Sequence, residues 1–206
     1  MSSKIEMVFP SFIYRGRLSA STSKRLNRDF EKEITTLSEI DNYGREWSQA
    51  HYVGGYSSYS SMANLHHTSP NFGELANLLQ PHVAKFAKAL NWDLRRRKLH
   101  MTTCWANAMG FGTHHTLHLH PHSVISGVYY VNMPTGSSPF KIEDPRMNML
   151  MASPARKPSA PANQQPFVSI APKAGEFILF ESWMRHEVPP HRGKKSRMSI
   201  SFNFEV

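Results

Sequence analysis

From Leu99 to the C-terminus the chain is cut into short β-like runs by turn residues, and this rhythm constrains the fold more than any other feature. Eight runs are readable, at 99–108, 115–120, 125–133, 139–144, 167–171, 176–181, 185–189 and 196–205. Each is rich in β-branched or aromatic residues, with Gly, Pro, Asn or Ser between them, which is how antiparallel sandwiches and barrels read in sequence. Eight strands in two antiparallel sheets make a jelly roll, a fold that suits a site between the sheets. The stretch 145–166 breaks the rhythm. It is rich in Pro and Met and lacks periodicity, and loops of this length often serve as lids or binding segments.

The first 98 residues read differently. Met7 to Leu18 has the composition of an extended segment. From Ser23 to Ile40, apolar residues at Leu26, Phe30, Ile34, Leu37 and Ile40 repeat at three and four, giving one apolar helical stripe. Residues 42–65, rich in Ser, Tyr and Gly, read as irregular. A second helix opens at Ser69-Pro70 and carries Phe72, Leu75, Leu79, Val83, Phe86 and Leu90 on one face, with Pro81 expected to kink or split it. The expected architecture is mostly β with N-terminal helices (α+β). One domain spans 1–206: residues 1–98 supply helical support and an N-terminal strand, and 99–206 form a cupin-like double-stranded β-helix. At 206 residues with 40% hydrophobic content, the chain suffices for one core and not comfortably for two.

No apolar run reaches the roughly 18 residues of a membrane span, and the first thirty residues carry no stretch of signal-peptide character. The single cysteine, Cys104, excludes an internal disulfide and a multi-thiolate zinc site, and reads as a small buried residue on a strand. A cytoplasmic protein without a membrane partner is the expectation. The formal charge of +9 favours anionic ligands. Its basic residues are scattered, apart from Arg95 to Lys98 and Arg192 to Arg197, without the aromatic interleaving of single-strand binders, so nucleic acid is not the favoured partner.

Histidine carries the chemical signal. There are twelve, five of them within His114 to His122. Residues two apart on an extended segment face the same side, so His118 and His120 can present two imidazoles to one metal ion, and Pro121 then ends the regular pairing. His114, His115 and His122 are weaker candidates, as supporting or surface residues. In Arg185-His186-Glu187-Val188-Pro189, His186 offers a third ligand on a run that a jelly roll can bring beside the first two. Arg197 opens the last run, where its planar fork matches a carboxylate and Ser199, on the same face, can add a hydroxyl.

With these residues the sequence resembles the 2-oxoglutarate/Fe(II)-dependent oxygenase superfamily, over roughly 99–206. The combination His118-x-His120-Pro121, Ser126-Gly127-Val128-Tyr129-Tyr130, Glu143-Asp144-Pro145-Arg146 and His186-Glu187-Val188-Pro189 looks like a bacterial and phage group within it. The resemblance implies that His118 and His186 bind iron(II) and that Arg197 and Ser199 bind the outer carboxylate of 2-oxoglutarate. Asn107 matches a co-substrate-contacting asparagine of nucleic-acid-repair members in type and offset. Position 120 departs from the pattern, because the superfamily normally carries Asp or Glu there. Either three histidines serve, with His120 as the preferred reading, or Glu143 or Asp144 supplies the acid.

The implied activity is oxidative decarboxylation of 2-oxoglutarate coupled to hydroxylation of a small-molecule or peptide substrate. Trp183 and Arg185 would line the mouth, and the N-terminal half and the 145–166 loop would set specificity. A three-histidine cupin-like dioxygenase or isomerase without 2-oxoglutarate, and a non-catalytic jelly-roll binding protein, are the alternatives.

Overall fold

The computed structural model describes residues 2–206. Ten strands and four α-helices follow in the order β1 (Ile13–Arg17), α1 (Ala20–Ile40), α2 (Asn42–His51), β2 (Gly55–Ser57), α3 (Leu65–Thr68), α4 (Pro70–Ala89), β3 (His100–Met109), β4 (His115–His118), β5 (Ile125–Asn132), β6 (Phe140–Glu143), β7 (Phe167–Ile170), β8 (Glu176–Glu181), β9 (His186–Val188) and β10 (Arg197–Glu205). β3 to β10 correspond one for one to the eight runs of the sequence. They form a double-stranded β-helix with a larger sheet, β1-β8-β5-β10-β3-β2, and a smaller one, β4-β9-β6-β7. Every strand pair named within these sheets is antiparallel. Among the described residues no helix is long and apolar enough to cross a membrane.

The larger sheet is covered on both faces, and its strands show this by alternation. On β8, Phe177 and Leu179 pack toward the helices while Ile178 and Phe180 face the smaller sheet, so Phe177-Ile178-Leu179-Phe180 is apolar throughout. β10 divides differently. Ile200, Phe202 and Phe204 join the helix-side core, with Leu26, Phe30 and Ile34 of α1 and Phe72, Leu75, Leu79, Val83 and Phe86 of α4. The opposite face of β10 carries Arg197, Ser199, Ser201 and Asn203, a polar stripe turned into the space between the sheets. Burying each large apolar side chain contributes roughly 1.5–3 kcal/mol, which offsets the cost of placing polar groups inside.

Three local expectations change. The helix carrying Pro81 runs unbroken as α4. Pro81 lies on its exposed side, and Asn77, whose carbonyl loses its partner, is exposed as well and can be solvated there. The 42–65 segment contains α2 and β2. Its helical stripe is invisible to a hydrophobic count because the buried positions of α2 are Gly44 and Ser48. Asp41 organises the segment, accepting from the Gly44 amide (2.9 Å) as N-cap and from the hydroxyls of Tyr56 (2.8 Å) and Ser61 (2.5 Å). Finally, the N-terminal strand is confined to Ile13–Arg17 and does not begin at Met7. It extends the larger sheet by pairing with β8, as β2 does at the other edge by pairing with β3, so the N-terminal half supplies both edges of the sheet.

Candidate metal centre

β4 and β9 pair so that His118 stands opposite His186. The chain leaves β4 immediately after His118, yet the two-residue spacing still brings His120 to the same side, where its backbone N–H donates to the Ser182 carbonyl (3.0 Å). The His118 and His186 rings lie 4.3 Å apart between centroids, His118 and His120 5.3 Å, and His120 and His186 are stacked at 5.1 Å. One nitrogen from each of the three falls within 4.8 Å of the others.

The ring nitrogens that face away define which proton each imidazole carries. His118 Nδ1–H donates to the Thr116 carbonyl (2.6 Å) and His186 Nδ1–H to the Met184 carbonyl (2.9 Å). A carbonyl can only accept, so both rings turn an Nε2 lone pair inward. The Nε2 atoms of His120 and His186 are 3.3 Å apart. Two nitrogens bound at about 2.1 Å to one ion, at an angle between square and tetrahedral, sit roughly 3.0–3.4 Å from each other, so the donor set fits a small divalent cation. Burial, and after it repulsion from the neighbouring rings, pulls the histidine pKa values down, to about 2 for His186 and about 4 for His120. Burial also lowers His118. At neutral pH the cluster is uncharged, the form that binds metal.

The two acids considered as alternative ligands are engaged elsewhere. Glu143, at the end of β6, pairs with Arg185 at 2.9 Å and sits at 8% exposure. Asp144 accepts two side-chain hydrogen bonds from Arg146, at 2.9 and 2.8 Å, and Arg146 holds its carboxyl below the usual carboxylate range. Either acid would have to leave an arginine to approach the histidines.

Arg197, at the start of β10, lies in the cavity that the histidines line, and its side chain is fully buried. Its Nη1 donates to Ser199 Oγ and Met109 Sδ, both at 3.2 Å, and its guanidinium stands 5.4 Å from the Tyr130 ring centroid. Among the described residues it takes part in no ion pair. Its Nε has no hydrogen-bond partner, and neither has the buried hydroxyl of Tyr130. A buried cation without an anion, beside an orphan hydroxyl, is costly as it stands and complementary to a carboxylate. Asn107 borders the same cavity, its amide oxygen accepting from Ser57 Oγ (2.9 Å) and its NH2 donating to Ser201 Oγ (3.1 Å).

Tyr52 and Trp105, which line the cavity, and Tyr130, whose ring packs against Arg197, escaped the sequence reading, which gave His115 only as a weaker candidate. Tyr130 belongs to a tyrosine pair of which only the first faces the helices. Tyr52 ends α2 in the segment read as irregular, and reaches the site through the β2 edge. His115, read as peripheral, has its ring 4.9 Å from that of Tyr52 and 4.8 Å from that of His118. Burial and the neighbouring histidines lower its pKa to about 3. Alternation along β5 could have identified Tyr130, since Ser126, Val128 and Tyr130 share a face. Trp105, on the β3 face opposite Ser201, stands 5.8 Å from the His120 ring and 5.1 Å from half-exposed Tyr59, forming one wall. Trp183 is 46% exposed, and Arg185 is occupied by Glu143.

The family model described as "Putative 2OG-Fe(II) oxygenase" matches residues 103–203. No curated protein matches the sequence. Among solved structures, a Pseudomonas putida prolyl-4-hydroxylase is 15% identical, covering 95% of this chain and 92% of its own, with a TM-score of 0.60. HygX from Streptomyces hygroscopicus, solved with nickel, 2-oxoglutarate and hygromycin B, is 11% identical, covering 95% and 83%, with a TM-score of 0.62. The chain spans 57% of the length of a Burkholderia pseudomallei oxidoreductase of the 2OG-Fe(II) oxygenase family, which covers 66% of this chain at 19% identity and a TM-score of 0.49.

Proposed function

We propose that this chain, whose residues 103–203 match the model described as "Putative 2OG-Fe(II) oxygenase", is a 2-oxoglutarate/Fe(II)-dependent oxygenase that hydroxylates a small-molecule or peptide substrate at a centre of three histidines. His118, His120 and His186 would hold iron(II), and Arg197 with Ser199 would hold the outer carboxylate of 2-oxoglutarate. The observation that carries the reading is the buried guanidinium of Arg197, which has no counter-ion and shares a cavity with three converging imidazoles. When bound, iron(II) would activate dioxygen, the oxidant, with 2-oxoglutarate supplying two of the four electrons that reduce it as the keto acid is decarboxylated to succinate, and the substrate C–H bond supplying the other two as it is hydroxylated.

The protein's own residues bind and orient. Arg197 offers the fork and Ser199 a hydroxyl from the same face of β10. Tyr130 adds a hydroxyl that has no other partner. Asn107 is already tied to Ser57 and Ser201, so its role is to brace the cavity wall, with contact to the co-substrate secondary. Met109, Val128, Phe140 and Val188 line the cavity with apolar surface, which limits water around the charged groups. Replacing the usual carboxylate by His120 raises the net charge of the centre by one unit, which favours a dianionic co-substrate.

The test is conversion of 2-oxoglutarate to succinate and carbon dioxide by the iron(II)-loaded protein, with Arg197→Ala and His186→Ala as controls. Turnover lost in both variants is expected. Because an all-histidine centre also serves dioxygenases that need no keto acid, an iron-binding protein that leaves 2-oxoglutarate unconsumed and unbound would overturn this assignment in their favour.

A further inference from the structure

The pairing of β4 with β9 slips between its two registered positions. From His115, opposite Val188, to His118, opposite His186, β4 advances three residues while β9 advances two. Strict alternation would turn His115 and His118 to opposite faces, and the extra residue brings both to the same one. His114 and Thr116 are exposed, whereas the imidazoles of His115 and His118 both line the cavity between the sheets. Bulges beside functional sites commonly re-aim a side chain, and the one re-aimed here is His115.

Its neighbours fix where along the cavity it stands. The His115 ring is 4.8 Å from that of His118 on one side and 4.9 Å from that of Tyr52 on the other. Tyr52 packs in one cluster with Met109 and Val188, and Met109 Sδ accepts from Arg197 Nη1 at 3.2 Å. His115 therefore lies between a member of the metal centre and the group beside the buried guanidinium. The hydrogen bonds of this cavity run through His118, His120, His186, Asn107, Arg197 and Ser199, and none of them reaches His115. A partly buried imidazole turned inward, with no protein acceptor for its N–H, is placed to donate to whatever fills the cavity.

We propose that His115 is a further binding residue of this site, its ring N–H donating to an oxygen of 2-oxoglutarate at the end that faces the histidines, while Tyr52 packs against the ring from the Arg197 side. The proposal rests on the reading of the cavity as a site for iron(II) and 2-oxoglutarate. The oxygens of an ionised keto acid only accept, and a neutral imidazole always carries one N–H to give. A contact at this end, opposite the carboxylate held by Arg197, also accounts for the bulge, which gives up regular pairing to turn a fourth imidazole inward.

Calorimetric titration of 2-oxoglutarate into manganese(II)-loaded protein tests it. His115→Phe keeps a ring against Tyr52 and His118 but removes the donor, and should weaken 2-oxoglutarate binding about 10–100-fold, the effect of losing one hydrogen bond to a charged acceptor. Manganese affinity of the same variant, measured without the keto acid, should stay within roughly threefold of wild type, which separates a ligand-binding role from a metal-binding one. An independent readout needs no variant: the His115 ring N–H in 15N-histidine-labelled, zinc(II)-loaded wild type should exchange with solvent when ligand-free and become protected when 2-oxoglutarate is added. Wild-type protein that takes up no metal, or takes it up and binds no 2-oxoglutarate, overturns the reading of the site itself. Wild-type protein that binds the keto acid while His115→Phe binds it equally well overturns the role of His115 alone. So does a parallel loss of manganese and keto-acid affinity, or a ring N–H whose exchange the keto acid leaves unchanged.

Discussion

Replacing Arg197 with methionine should make the resting protein more stable and at the same time unable to bind 2-oxoglutarate. The guanidinium is fully buried, its Nε has no partner, and burial lowers its pKa, which means the charged form is held at a cost. Two compensations exist. The contact with the Tyr130 ring contributes on the order of 1–2 kcal/mol for a desolvated pair, and the bond to Ser199 about as much. Against them stands a desolvation penalty of several kcal/mol for a buried ion, and exchanging buried ions for apolar side chains of similar volume is often stabilising by about 1–4 kcal/mol. For a chain of this size each kcal/mol moves Tm by roughly 2–4 °C. Arg197→Met should therefore melt several degrees above the wild type when no ligand is present. Adding 2-oxoglutarate at a hundredfold excess over its Kd, with manganese(II) as an oxygen-stable metal, should stabilise the wild type by about 2.7 kcal/mol and leave the variant unmoved, so the gap closes or reverses. Differential scanning fluorimetry with and without the keto acid reads both effects. A ligand-free variant that melts well below the wild type would refute the reasoning, because Arg197 would then be compensated by its own surroundings and would not be waiting for an anion.

Tyr130→Phe removes one hydroxyl that has no partner; calorimetry should show 2-oxoglutarate binding weakened about tenfold, with Tm unchanged or slightly raised, and unchanged affinity would exclude the hydroxyl from the carboxylate site. Glu143→Gln weakens the pair with Arg185 and should leave metal content within error of wild type by elemental analysis, whereas loss of the metal would move the third ligand to the acid. The pH dependence of folding follows from the lowered histidine pKa values. Between the ordinary value near 6.5 and the folded values of about 4 for His120 and about 3 for His115, the unfolded chain binds protons that the native protein does not, so stability is present above that window and is lost as pH falls through it. Each such ring contributes a slope of about 1.4 kcal/mol per pH unit, and urea unfolding of the metal-free protein at pH 7, 6 and 5 should show the decline; a flat series would mean the rings are already protonated in the native state.

The strands were legible because a sheet covered on both faces must be apolar throughout or alternate sharply, and β8 and β10 do one each. The helix at 42–51 was not, because packing against Asp41 and β2 leaves room only for Gly44 and Ser48 at its buried positions, and a helix whose buried face is small and polar leaves no apolar period. That miss propagated. Without β2 there is no reason to bring Tyr52 beside Arg197, or Ser57 beside Asn107, whose amide oxygen accepts from the Ser57 hydroxyl at 2.9 Å.

The histidines and Arg197 were legible for a different reason: their spacing is set by strand geometry and not by packing. Two residues along an extended chain return to the same face, and this held for His120 although β4 ends two residues earlier. What spacing could not reveal is how each imidazole is made ready to bind. His118 and His186 rely on carbonyls two residues away in their own segments, and so carry their acceptors with them. His120 lies beyond the end of β4 and is held there through its backbone, whose N–H donates to the Ser182 carbonyl (3.0 Å).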